Sequence, residues 1–121
     1  MDIKTDPSLN GLFHAIFFQI AGIVVALVAN SANFAFILFA DTSGHEIALS
    51  VPILATALFT IAWGDATLKS QIANIKDASI ETKNSHAYKF ISTQPYILLR
   101  LMNLVLALAL AVSQLSILFD S

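Results

Sequence analysis

The chain has no cysteine, which excludes disulfides, thiolate metal sites and thiol chemistry. Charge is also scarce. Only 12% of the 121 residues are charged, where ordinary soluble domains carry about 25%. The net charge of −2 supplies no electrostatic basis for nucleic acid as a partner. No asparagine has a hydroxyl residue two places on, so there is no glycosylation sequon. There is no Gly-rich phosphate loop, no H-E-x-x-H and no hydrolase elbow. His14, His45 and His86 are widely separated, so no metal cluster is expected. These absences lead to the expectation of a protein that is not an enzyme and holds no cofactor.

What the chain has is apolar surface. Hydrophobic residues make up 57% of it, and its mean hydropathy is +0.78. A chain this short leaves a large share of its surface exposed when it folds alone. Lipid is the solvent that accommodates such a surface. Three apolar runs stand out, residues 12–40, 47–63 and 97–119. A spanning helix needs about 20 predominantly apolar residues. The second and third runs fit. The first is long enough to require tilt, an interfacial placement of its Phe13–Phe18 end, or a break at Asn30-Ser31-Ala32-Asn33, whose side chains compete for backbone hydrogen bonds; a continuous tilted helix is the favoured reading. That run is also too long for the apolar core of a cleaved signal peptide. The expected fold class is all-α, a single transmembrane domain of three spanning helices with a helical cytoplasmic extension, residues 64–96, after the second.

Charge sets the expected orientation. The first loop contains Asp41 and Glu46 and no Lys or Arg, whereas the second contains Lys69, Lys76, Lys83 and Lys89. Lys4 precedes the first span and Arg100 opens the third. Three spans therefore put every Lys and Arg on one side, which the positive-inside rule makes cytoplasmic. The N-terminus and loop 64–96 would share that side, with the C-terminus opposite. Trp63 and Arg100 fall where interfacial anchors belong, the arginine being able to snorkel to the headgroups. Within 64–96, Leu68, Ile72 and Ile75 share a helix face. Asp65 and Lys69 form a favourable i,i+4 pair. The stretch 83–86 reads as a turn, and residues 86–94 as a re-entry loop or short surface helix anchored by Tyr88 and Phe90.

Two polar stripes interrupt the apolar runs. Gln19, Gly22, Ala26, Asn30 and Asn33 are spaced 3, 4, 4, 3, and Arg100, Asn103, Ala107, Ala111 and Gln114 repeat that spacing. Each set spans an arc of about 80° on a helix of 100° per residue. The small residues permit close helix approach, and amides in lipid seek partners. Ser50, Thr56 and Thr60 in the second run can bond to the preceding turn of their own helix. The stripes are candidates either for helix packing, within one chain or between copies, or for lining a hydrated path. In layout alone the chain is similar to phage holins and to small subunits of respiratory complexes, a likeness that carries no motif. The expected function is a non-enzymatic membrane protein that assembles through these faces as a pore-forming or membrane-disrupting oligomer. The alternative is an accessory or structural subunit of a larger membrane complex. The expected partners are the lipid bilayer and either further copies or other membrane subunits.

Overall fold

The structure, a computed structural model, describes residues 7–120, with side chains from Asn10 onward. Lys4 lies outside the described residues. Five helices follow in order: α1 (Pro7–Phe39), α2 (Glu46–Lys76), α3 (Ile80–Lys83), α4 (His86–Ser92) and α5 (Tyr96–Phe119). The chain is all-helical, and α1, α2 and α5 are each long and apolar enough to cross a membrane. In a bilayer the backbone must satisfy its own polar groups, which a helix does internally.

α1 runs unbroken through Asn30–Asn33. The Asn30 side chain donates to the Ala26 carbonyl at 2.8 Å, bonding to its own preceding turn without breaking the helix. At 1.5 Å per residue α1 is roughly 50 Å long, well beyond a hydrocarbon core of about 30 Å. It begins on a proline, whose missing N–H costs nothing at a helix start. It ends in a tight turn, where the Ser43 N–H donates to Asp41 Oδ1 at 3.1 Å and His45 N–H to the Thr42 carbonyl at 2.9 Å. That backbone donor holds the Asp41 carboxyl below its ordinary pKa. Gly44 completes the turn at φ +82°, in the left-handed region that glycine enters freely.

α2 continues past Trp63 to Lys76, so the second apolar run and the polar segment after it form one helix. Its helical pattern stops at Asp77, short of Ile80. Ser79 then caps α3 by accepting from the Thr82 N–H, and Ser85 caps α4 by accepting from the Tyr88 N–H, both at 3.1 Å. The turn read at 83–86 is the Asn84–Ser85 junction, and residues 86–92 are helical.

α2 is the middle element. It packs along both α1 and α5, which touch each other over a much shorter stretch. One end of the bundle is closed by Ile37, Ile53, Ala111 and Leu118, with Phe34 and Leu49 packed on them. At the other end Leu12 and Ile91 form a second cluster with Ile16, Ile75, Tyr88 and Tyr96. Of the Leu68–Ile72–Ile75 stripe, Ile75 packs on this cluster and Leu68 is buried. Tyr88 turns inward, while Phe90 is 71% exposed. Every described Lys and Arg lies at this second end, and Asp41, Glu46 and Asp120 at the first. Along the long helices most large apolar side chains are exposed, as lipid contact requires.

Between the two clusters, glycine sets the helix spacing. A methyl group on Gly22 would overlap the Trp63 indole, and one on Gly64 would overlap the Asn103 amide. Overpacking such a site costs about 1–3 kcal/mol, against a gain of about 1 kcal/mol in helix propensity for Ala over Gly. Gly22→Ala is therefore expected to lower unfolding stability in mixed micelles by about 1 kcal/mol, and Gly22→Ile by more. Trp63 is the sole tryptophan, so its emission should shift in both Gly22 variants. Unchanged stability and emission would show that the indole does not sit against α1.

Candidate functional site

Both polar stripes face inward. In α1, Gly22 is buried and Gln19, Ala26, Asn30 and Asn33 are half-buried; in α5, Ala107, Ala111 and Gln114 are buried and Arg100 and Asn103 half-buried. A pattern of 3 and 4 keeps such residues on one face, and here those faces converge on α2. They also meet each other: Gln114 Nε2 donates to Asn30 Oδ1 at 2.8 Å, across α5 and α1.

The amides of Asn33 and Asn103 bond to α2. Asn33 Nδ2 donates to Thr56 Oγ1 at 3.3 Å, and Asn103 Nδ2 to the Thr60 carbonyl at 3.1 Å. The hydroxyls of Ser50, Thr56 and Thr60 donate to the carbonyls of Ile47, Pro52 and Thr56 on their own helix. Thr60 Oγ1 thereby uses the Thr56 carbonyl, and the Thr60 carbonyl is left to accept from Asn103. Nearer the charged end, Asn74 Nδ2 donates to the Gly11 carbonyl at 3.0 Å.

Trp63 is half-buried between α1 and α2. Its Nε1–H donates to the Phe18 carbonyl at 2.7 Å. Its ring is edge-on to Phe18 at 6.3 Å and stacked on Phe59 at 5.5 Å. Such aromatic pairs add about 0.5–1.5 kcal/mol beyond area burial. Two residues on, Asp65 takes Arg100 Nε on Oδ1 at 2.6 Å and Lys69 Nζ on Oδ2 at 3.1 Å. The i,i+4 pair foreseen from spacing thus has a third member from α5. No sequence spacing announces that cross-helix partner, nor the fit of Gly64 against Asn103.

Two buried glutamines are incompletely paired. Asn30 spends its Nδ2 on the Ala26 carbonyl, so its Oδ1 must accept and Gln114 must present its amide nitrogen. Gln114 Oε1 then points away, buried and without a donor among the described residues. Gln71 is 2% exposed, and neither amide atom meets hydrogen-bond geometry among the described residues, the Tyr96 hydroxyl being its polar neighbour. Tyr96, beside it, gives its proton to the Ile91 carbonyl at 2.7 Å. Sequence reading passed over Gln71, because a lone glutamine in a polar stretch carries no pattern.

Among the described residues no three His, Cys, Asp or Glu come together as metal ligands. Two surface hollows, around Phe36 and Ile53 and around Phe18 and Trp63, are open.

The amide pairing makes an asymmetric prediction. Asn30→Leu strands the whole Gln114 amide, whereas Gln114→Leu removes the orphan oxygen together with the bond. Interhelical bonds in lipid are worth about 0.6–1.7 kcal/mol and a stranded amide about 1–3. Asn30→Leu should therefore destabilise more than Gln114→Leu in reversible unfolding; the opposite order would overturn the pairing. Gln71→Leu should stabilise, by about 1 kcal/mol, and a loss of stability would mean that the Gln71 amide has a partner.

Compared with known protein families, curated proteins and solved structures, the chain matches none.

Proposed function

We propose that this small membrane protein is a non-enzymatic accessory or structural subunit of a larger membrane assembly. In this reading the N-terminus and residues 64–96 are cytoplasmic and the C-terminus lies on the opposite side, following the segregation of Lys and Arg to one end of the bundle. One observation carries the choice over a self-assembled pore. The amides of Asn30, Asn33, Asn103 and Gln114 are engaged inside a single chain. Along the apolar runs, 12–40, 47–63 and 97–119, the exposed polar side chains are His14, near one end, and the hydroxyls of Ser31, Ser113 and Ser116. A pore built from copies needs a polar wall, and here four of the five stripe amides, all but Gln19, are used within the bundle. The apolar outer faces suit lipid or neighbouring subunits, and the extension beyond Trp63 presents Lys69, Ser70, Lys76 and Asp77 to solvent.

The test is affinity purification from membranes in mild detergent, followed by native mass spectrometry. The expected result is a particle with one larger membrane partner at fixed stoichiometry. A purely homomeric particle that raises liposome conductance would replace this reading with the pore. A monomer that has no partner would also overturn it.

A further inference from the structure

The Asp65 cluster is unbalanced. One carboxylate serves two cations, one on each oxygen, so a net positive charge remains where α2 meets α5. No other described acidic residue pairs with either cation. Arg100 is held through Nε alone, leaving both terminal NH₂ groups of its fork without a protein partner among the described residues. Lys69 is 60% exposed at its side chain, and Arg100 34%.

The surroundings are those of a lipid rim. Arg100 is the fifth residue of α5, level with the end of the apolar run of α2. Its neighbours three places before and four places after, Ile97 and Leu104, are exposed apolar residues on the same helix face, and Leu101 is exposed beside it. A guanidinium with two free NH₂ groups matches a phosphate. A surplus positive charge where an apolar face begins is electrostatically complementary to an anionic headgroup whose acyl chains run along that face.

We propose that Arg100 and Lys69, bridged by Asp65, form a binding site for the phosphate of an anionic phospholipid. Asp65 positions the pair: it holds Arg100 through Nε, which leaves both NH₂ groups for a ligand, and it keeps two like charges side by side. The lipid headgroup supplies the second negative charge. The site lies within one chain and needs no partner protein, so its test is separate from that of the subunit reading.

The experiment is native mass spectrometry of the full chain released from nanodiscs of phosphatidylglycerol mixed with phosphatidylcholine. The expected result is preferential retention of one phosphatidylglycerol. A basic residue near a membrane surface contributes about 1 kcal/mol, so Lys69→Gln and Arg100→Gln should each lower that preference about fivefold. Asp65→Asn, which leaves both cations but releases them from one another, should lower the preference by less than either cation variant. Lys76→Gln, two turns beyond Lys69 on α2, should change nothing. Lys69 is exposed, so its variant reports on binding even if the Arg100 variant fails to fold. Equal retention of the two lipids, an unchanged preference in Lys69→Gln, or an equal loss in Lys76→Gln would each overturn the proposal. Complete displacement of the lipid by excess inorganic phosphate would assign the site to free phosphate and overturn the lipid assignment.

Discussion

Three consecutive residues of α2 hold the bundle together. The Trp63 indole fills the space left by Gly22 on α1 and bonds to the Phe18 carbonyl. Gly64 leaves the space that Asn103 of α5 fills while bonding to the Thr60 carbonyl. Asp65 pairs with Arg100 of α5. Adjacent residues on a helix point about 100° apart, so neighbouring positions can serve two different partners. This is why α2 packs against both other long helices while α1 and α5 touch only over a short stretch. The same side chains that set the helix spacing also supply the hydrogen bonds, so spacing and polarity cannot be varied independently.

The interior follows from the solvent. Between helices already immersed in lipid, hydrophobic association contributes little, and close packing with polar bonds takes its place. The middle of the bundle is accordingly made of Gly22, Ala107 and amides, while most Leu, Val and Phe point outward. Larger buried apolar residues appear at the two ends, in the Ile37–Leu118 cluster and the Leu12–Ile91 cluster. Gln114 shows where this packing is incomplete. Its amide orientation is dictated by Asn30, which is in turn dictated by the Ala26 carbonyl, and the oxygen at the end of that chain has no donor among the described residues.

Much of this was legible from periodicity. Three spans, the continuous first helix, the helical run past Trp63 and the two stripes all follow from spacings that repeat along one helix. The self-satisfied hydroxyls of Ser50, Thr56 and Thr60 were legible for the same reason, because each acceptor is on the preceding turn. What periodicity cannot show is the partner across a helix gap. Asn30 and Gln114 are 84 positions apart, and Asp65 and Arg100 are 35 apart. Glycine is equally silent: Gly64 reads as the end of an apolar run, and its use as the seat of Asn103 depends on a neighbour brought in by the fold. Tyr88 and Phe90 look alike as interfacial aromatics in sequence. Only the packing of α4 against Leu12 separates the inward ring from the exposed one.

The inward stripes also change what the protein can offer its surroundings. A helix face is available to water, ligand or a second chain only if its polar groups can exchange their present partners. Turning the Asn103 face outward would break its bond to Thr60 and empty the space beside Gly64. Turning the Asn30 face outward would strand Gln114. In hydrocarbon these losses find no compensation from water, so opening the bundle requires an incoming surface that replaces several bonds together. The outer apolar faces and the charged end carry no such restriction. Contacts made by the intact bundle therefore fall there, with apolar surroundings along the spans and polar ones around Asp65, Lys69 and Arg100.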